Sequence, residues 1–227
     1  MRAVLAAPPP TLLVIAKEPV PGRVKTRLTP ACTPEQAAEL AEAALADTLA
    51  TLSQVPAGRR LLVLDGAPGR WLPPGWEVAA QCAGGLDARL AAAFALADPH
   101  APALLVGMDT PQLAAATLAE PLAAARRGGA DAWYGPAADG GFWALGLARP
   151  EPALARRLLL GVEMSTARTG ERLLARLAAE GLTVHRLPEL VDVDTVDDAE
   201  RVAALAPGGR FAARWQAVRA TAPAGRR

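Results

Sequence analysis

The chain has 227 residues, of which 52% are hydrophobic and 21% charged, a composition typical of a folded globular protein and unlike a disordered one. A formal net charge of +1 provides no overall field that would attract nucleic acid or an anionic membrane, so we expect neither partner and look for anion recognition in individual loops. The apolar runs are strand-sized, no secretory signal is recognisable, and two cysteines form neither a metal motif nor a disulfide framework, which together predict a cytoplasmic protein.

Apolar runs and helix signals alternate along the chain. Strands are predicted at residues 11–16, 60–65, 76–80, Ala103–Gly107, 131–135, Phe142–Leu147 and 182–187. Helices are predicted at 34–49, capped by Thr33, and at 86–97, 113–127, 169–180 and Val196–Leu205. Gly128 and Gly129 are expected to end the helix at 113–127, and Gly181 the helix at 169–180.

This alternation predicts an α/β fold with a mostly parallel sheet and helices on both faces. We expect a single domain over residues 1–227, with its core at about 11–205. The tail, 206–227, is expected to dock through Phe211 and Trp215 and to fray at its last residues. In such a sheet, ligands bind outside the carboxyl ends of the strands, so polar residues that follow strands are the candidate site.

A basic loop follows the first predicted strand. It carries Lys17, Arg23, Lys25 and Arg27 around Gly22, and its two lysines are the only ones in the chain. Local cations and guanidinium forks are what polyphosphate binding needs, although the glycine spacings of a Walker loop or a GxGxxG fingerprint are absent. The loop, broken by several prolines including Pro30, is therefore a candidate nucleotide site; a solvated surface loop is the alternative.

Asp109 lies just past the predicted central strand, between Gly107 and Pro111. An aspartate there is placed to hold Mg²⁺ or Mn²⁺, which take one or two carboxylates and complete their shell with phosphate oxygens. The alternative is that Asp109 caps the following helix.

A second acidic segment comes late in the chain. Asp192 and Asp194 share one face if the segment is extended, because strand side chains alternate, and one of them could face Asp109 across the site. Asp197 and Asp198 are better interpreted as first-turn residues of the next helix. The alternative for the whole run is a capping cluster.

Asp139 precedes Gly140 and Gly141, between two predicted strands. Asp-Gly is a frequent hairpin turn, which we favour for the glycines. Paired glycines also allow close approach to a ligand, and we assign Asp139 a role in the site.

Four of these segments together resemble the DUF2064 family: residues 15–28, Gly107 to Pro111, 135–141 and Asp192 to Thr195. That family is similar to GT-A-fold (nucleotide-diphospho-sugar transferase-like, Rossmann-like) glycosyltransferases, often linked to arsenosugar biosynthesis, and the Lys-Thr-Arg-Leu stretch is also similar to phospholactate guanylyltransferases. The resemblance implies a metal on Asp109 and on a late carboxylate, Asp194 or Asp192. It departs at residues 84–89, where an aspartate and a glycine are displaced but Arg89 remains as a candidate nucleotide ligand.

The leading hypothesis is a transferase that moves a group from a nucleotide-activated donor to a small-molecule acceptor, with Mg²⁺ or Mn²⁺ as cofactor. The favoured donor is a sugar nucleotide, which would make the protein a glycosyltransferase. Lys25 and Asp139 are the candidate catalytic residues, the latter as base for an acceptor hydroxyl. Nucleotidyl transfer from an NTP to a phosphorylated small molecule is the first alternative, and a non-catalytic nucleotide-binding protein the second. The oligomeric state stays open, with a homodimer as one option.

Overall fold

The computed structural model describes residues 8–29, 31–125 and 129–221. Its strands are β1 (Thr11–Lys17), β2 (Arg59–Asp65), β3 (Glu77–Ala80), β4 (Ala103–Gly107), β5 (Ala132–Pro136), β6 (Phe142–Leu147) and β7 (Val184–Arg186). Its helices are α1 (Pro34–Ser53), α2 (Leu86–Phe94), α3 (Ala115–Ala125), α4 (Pro152–Leu159), α5 (Thr169–Ala179), α6 (Val196–Leu205) and α7 (Arg210–Thr221). In the described part of the chain, no helix is both long enough and apolar enough to cross a membrane.

The seven strands form one sheet in the order β3-β2-β1-β4-β6-β5-β7. All neighbouring strands are parallel except where β6 pairs antiparallel with β4 and β5. The strand order reverses between β1 and β4, so these two strands flank the switch point at which an open α/β sheet binds ligands.

The sheet is buried on both faces because side chains alternate along its strands. Leu12 and Val14 of β1 pack on one face with α1 and α3, whereas Leu13 packs on the other with α2, α4 and α5. The predicted α/β class, with a mostly parallel sheet and helices on both faces, is confirmed.

Helix α1 is apolar nearly all round because it has neighbours on two sides. Thr33 and Gln36 form a capping box at its start, as expected for the predicted cap. Its inner residues face the sheet, and its outer residues, such as Leu40, pack against α6 and α7. The predicted docking of Phe211 and Trp215 is correct, since both are buried in that outer layer, but the helix that carries them, α7, was not predicted. Residues 222–227 lie outside the described ranges.

Several boundaries differ from the prediction. The helix predicted at 86–97 ends at Phe94, since Pro99 disfavours helical geometry just upstream and the chain turns there. The helix predicted at 113–127 begins at Ala115, because a turn from Thr110 to Leu113 precedes it. Gly128, at its predicted end, lies outside the described residues, and so does Pro30 of the basic loop. The short α4 was missed altogether.

Candidate functional site

A cavity of about 690 Å³ opens at the carboxyl ends of the strands, beside the switch point. The predicted site residues that line it are Lys17, Arg23, Lys25, Arg27, Arg89, Asp109, Asp139, Asp192 and Asp194. Gly22 does not line it; this glycine is exposed, with a φ of 75° in a turn that closes between Arg23 and Val20. The predicted segments, far apart in sequence, therefore meet in one place.

The basic loop is fixed by its apolar residues. Val24 and Leu28 are buried, the latter against α1, and residues Thr26–Leu28 form a single 3₁₀ turn. Between them Lys25 adopts the left-handed conformation, φ 49° and ψ 35°, which is uncommon for a residue with a Cβ. This conformation turns the Lys25 side chain inward while its neighbours Thr26 and Arg27 stay exposed.

Two carboxylates meet the buried ammonium of Lys25, whose side chain is only 6% exposed. Its Nζ lies 2.6 Å from Asp109 Oδ1 and 3.5 Å from Asp194 Oδ1, while Arg27 reaches Asp194 Oδ2 at 3.0 Å. Burial works to lower the pKa of Lys25, but the charges of Asp109, Asp194 and Asp192 outweigh it, and the net pKa is raised. Lys25 is therefore a firmly protonated cation held between carboxylates.

The remaining cations of the loop are free to meet a ligand. Within the described part of the chain, neither Lys17 nor Arg23 has an ion-pair partner, and both side chains are exposed at the rim of the cavity. The four basic residues predicted for the nucleotide site are therefore of two kinds: Lys17 and Arg23 are free, whereas Lys25 and Arg27 already contact carboxylates.

Asp109 and the late acidic segment are positioned together. The backbone N–H of Val193 donates to the carbonyl of Asp109 at 3.0 Å, and the Gln112 side chain donates to the carbonyl of Val191 at 2.7 Å. Val191 and Val193 are buried, so the alternation expected for this segment turns Asp192 toward the cavity. Asp194 is turned the same way.

The alternatives based on helix capping are resolved by position. α3 begins at Ala115, too far along the chain for Asp109 to cap it. Thr195 and Asp198 form the capping box of α6, with Asp197 in its first turn, as predicted. Capping therefore accounts for the end of the acidic run and leaves Asp192 and Asp194 to the cavity.

Asp192 is a strongly perturbed titratable group of the site. Burial, followed by the neighbouring charges of Asp109 and Asp139, raises its pKa to about 7, against a smaller opposing effect of Lys25. Its Oδ1 is buried and accepts no hydrogen bond within the described ranges. Asp109 Oδ1 is also buried, and its partner is the ammonium of Lys25 at 2.6 Å, a charge-assisted contact.

Asp139 lies in the turn of the β5–β6 hairpin. Its Oδ1 accepts a hydrogen bond from the backbone of Gly141 at 2.8 Å, and Gly140 has a φ of 88°. The predicted turn is thus confirmed. Gly140 also touches the backbone of Ala167, where no Cβ would fit, so the turn is held against the start of α5.

Sequence reasoning missed two residues that hold Arg89. The Arg89 guanidinium donates to Asp65 Oδ2 at 3.0 Å and to Gln81 Oε1 at 3.1 Å, and Gln81 also bonds the carbonyl of Ala16. Asp65 ends β2 in register with Lys17 at the end of β1, and Gln81 follows β3. The rule that polar residues after strands mark the site would have found both.

The departure at residues 84–89 has a structural explanation. Gly85 caps α2, and the carbonyl of Gly84 accepts from Arg89 Nε at 3.0 Å. Asp87 points away from the cavity and accepts a hydrogen bond from the backbone of Gly161, which lowers its pKa. The displaced acidic residue thus joins α2 to the loop after α4 rather than facing the cavity.

The fold is of the nucleotide-diphospho-sugar transferase type. A protein from Desulfovibrio desulfuricans G20, described as a candidate nucleotide-diphospho-sugar transferase, is 26% identical over 93% of this chain and 94% of its own, with a TM-score of 0.78. A family model, described as an uncharacterized protein conserved in bacteria (DUF2064), matches residues 25–166. The chain belongs to the DUF2064 family.

More distant structures share the fold. Rv0371c from Mycobacterium tuberculosis H37Rv is 23% identical over 87% of this chain and 98% of its own, with a TM-score of 0.53, and has also been solved with manganese. The 2-C-methyl-D-erythritol 4-phosphate cytidylyltransferase of Thermus thermophilus is 19% identical over 89% of this chain and all of its own, with a TM-score of 0.54. Among curated proteins, none matches the sequence.

Proposed function

We propose that this protein is a metal-dependent transferase that acts from a nucleotide-activated donor, and that it transfers a sugar. The observation that carries the proposal is the pair of carboxylates, Asp109 and Asp194, which converge within 3.5 Å of one cationic group beside two free cations at the switch point. A diphosphate held by a divalent ion needs this combination of acidic and basic groups.

The carboxylates suit a hard divalent cation. Oxygen ligands are what Mg²⁺ and Mn²⁺ prefer, and the Lys25 ammonium already marks a position favourable to positive charge. Among the described residues, no group of three or more His, Cys, Asp or Glu is arranged to hold a metal, so an ion here would use Asp109 and Asp194, or Asp192, together with phosphate oxygens. When bound, it would neutralise the charge that develops on the leaving diphosphate. The structure of Rv0371c in complex with manganese supports a divalent ion as the cofactor.

The basic loop would hold the donor. Lys17 and Arg23, without carboxylate partners in the described part of the chain, would bind phosphate oxygens, and the exposed Arg27 would extend this set. Lys25 would stabilise the same leaving charge from the floor of the cavity. Arg89, oriented by Asp65 and Gln81, would contact the nucleoside side of the donor.

The acceptor needs a base if a hydroxyl attacks the sugar. Asp139 faces the cavity with Oδ1 bonded in its own turn, which orients the carboxylate and leaves Oδ2 available to accept the proton. Asp192, with an unpartnered Oδ1, faces the same space. The substitutions Asp139→Asn and Asp192→Asn separate these two residues, because loss of the base lowers kcat with little change in donor binding.

Nucleotidyl transfer is the second candidate, because the fold is shared with a cytidylyltransferase. In that reaction a phosphorylated acceptor attacks the α-phosphate of an NTP, and no base is required since the attacking phosphate is already ionised. The products then include pyrophosphate instead of a nucleoside diphosphate.

The test is incubation of the purified protein with labelled NTPs and sugar nucleotides, with Mn²⁺ and with EDTA. Release of a nucleoside diphosphate and a glycosylated product supports sugar transfer, whereas pyrophosphate release overturns it in favour of nucleotidyl transfer. Asp109→Asn should abolish the activity. The matched control Asp197→Asn, an exposed acid in the first turn of α6, should retain it. Metal-dependent binding with no turnover of any donor would identify a non-catalytic nucleotide-binding protein.

A further inference from the structure

The charged side chains that line the cavity are divided between its two halves. The cations come from the β1 half, built by the end of β1, the loop that follows it and α2: Lys17, Arg23, Lys25, Arg27 and Arg89. The carboxylates come from β4 and the strands beyond it: Asp109, Asp139, Asp192 and Asp194. Asp65 is the exception, an acid in the β1 half that is paired with Arg89.

Beyond Asp109 lies the β6 half of the cavity, which we define by its lining residues Asp139, Gly141, Phe142, Trp143, Met164, Ser165, Thr169 and Asp192. Asp139 and Asp192 are its charged groups among the described lining residues. Phe142, Trp143 and Met164 give it an apolar wall, and Thr169 is buried with its hydroxyl bonded to the carbonyl of Glu163. This half therefore offers acceptors for hydrogen bonds and apolar surface, but no cation.

Two arginines close in sequence to Thr169 do not supply one. Arg168 pairs with Glu171 at 3.2 Å, and Arg172 pairs with Glu163. Neither arginine is among the residues that line the cavity. An anionic group placed between Asp139 and Asp192 would thus meet the charge of Asp139 and the buried carboxyl group of Asp192, with no cation in the lining of this half to balance it.

We propose that the β6 half is the acceptor subsite and that it selects an uncharged or cationic hydroxyl compound against phosphorylated or carboxylated ones. The inference rests on the proposed function and names the class of its second substrate. Like charges brought together in a partly desolvated site oppose binding strongly, whereas a hydroxyl or ammonium group donates to the carboxylates. The apolar wall formed by Phe142 and Met164 would pack on the carbon skeleton of the acceptor.

The chemical step is consistent with such an acceptor. The acceptor hydroxyl oxygen forms a bond to the anomeric carbon, and the bond from that carbon to the diphosphate oxygen breaks. Its electron pair leaves with the nucleoside diphosphate, and the hydroxyl proton passes to the carboxylate of Asp139. No redox partner or further reactant is needed.

The experiment separates acceptors by charge and does not require that their identity be established first. A small-molecule extract of bacteria is passed over an anion-exchange resin at neutral pH, and the full-length protein is incubated with a labelled sugar nucleotide, Mn²⁺ and either fraction. We expect label to enter compounds of the unretained fraction at least about tenfold more than those of the retained fraction. Preferential labelling of the retained fraction, or loss of acceptors after phosphatase treatment of the extract, would overturn the proposal.

A variant pair tests whether charge is the selecting property. Met164→Arg places a cation in the β6 half, and Met164→Gln is the matched neutral control. Met164→Arg should shift the labelling ratio toward the retained fraction by about tenfold relative to Met164→Gln; an unchanged ratio counts against the proposal. Failure of the proposed function is recognised separately, because the donor would then show no Mn²⁺-dependent cleavage with any fraction.

Discussion

At the scale of single residues, the site is organised around Lys25. Its left-handed backbone and the burial of its side chain place a protonated ammonium where Asp109 and Asp194 meet. The three side chains come from separate loops, and each carboxylate would repel the other without the cation between them. Lys25 therefore stabilises the fold of the metal-free site as well as serving its proposed chemistry.

Lys25→Met should destabilise the metal-free protein by about 2 kcal/mol. Removal of one partner from a buried ion pair costs roughly 3–5 kcal/mol, and the value is reduced here because Asp109 is 36% exposed. Urea unfolding in EDTA measures the loss, and Mn²⁺ should restore part of it by replacing the missing positive charge. The control Lys17→Met, at an exposed lysine, should leave stability unchanged. Equal effects of the two substitutions would show that the ion pairs of Lys25 contribute nothing.

Asp192 predicts a pH dependence of stability. Its pKa is raised from an ordinary 3.8 to about 7 in the folded protein, so between these values the folded state binds more protons than the unfolded state. Stability should therefore fall as pH rises through this window, with the full loss present above about pH 7. In Asp192→Asn this loss is absent. The melting temperature of the variant minus that of the wild type, both measured in EDTA, should therefore increase from pH 4 to pH 8. Parallel curves for the two proteins would contradict the assignment.

At the scale of elements, the β5–β6 hairpin is held in place by contact with α5. The N–H of Gly170 donates to the carbonyl of Gly140 at 2.9 Å, and the Tyr134 hydroxyl donates to the carbonyl of Gly141 at 3.0 Å. These bonds fix the turn that carries Asp139 over the cavity. The position of a candidate catalytic carboxylate thus depends on a helix that does not itself carry it.

Gly140→Ala should disrupt this arrangement. The positive φ alone costs about 1 kcal/mol for alanine, and the added Cβ would collide with the backbone of Ala167. Gly181→Ala is the matched control, because Gly181 also has a positive φ, 70°, but a Cβ added there would meet open space. We expect Gly140→Ala to lose at least about 1 kcal/mol more than Gly181→Ala in urea unfolding and to lower turnover, whereas Gly181→Ala keeps turnover. Similar stability losses would mean that the contact with Ala167 is not rigid.

The elements show how far the sequence could predict the site. Apolar runs located the strands, and the order of polar residues after them located Lys25, Asp109 and Asp194. The partners themselves were not predictable, because the ion pair of Lys25 with Asp194 joins residues from opposite ends of the chain, and local periodicity carries no information about such contacts. Helix α7 was missed for a related reason: its apolar residues match a surface that α1 and α6 create only after folding.

At the scale of the whole molecule, the strand order decides which loops can act together. β1 and β4 are neighbours although two strands and two helices separate them in the chain, so the basic loop and Asp109 meet across the switch point. A donor diphosphate with its metal would bridge these two halves of the sheet. Metal and nucleotide should therefore stabilise the protein jointly, since each completes the binding site of the other.

Manganese and a nucleoside diphosphate should consequently raise the melting temperature by more together than the sum of their separate effects. At a ligand concentration of 100 times Kd the gain is about 2.7 kcal/mol, which corresponds to a shift of roughly 5–10 °C for a protein of this size. Asp109→Asn should remove the excess and leave the small shift due to nucleotide alone, because Lys17 and Arg23 can still bind phosphate without the metal. Arg23→Gln should instead lower the shift due to nucleotide alone. Strictly additive shifts in the wild type, measured by differential scanning calorimetry, would mean that the two ligands bind apart and that the cavity does not hold a metal diphosphate.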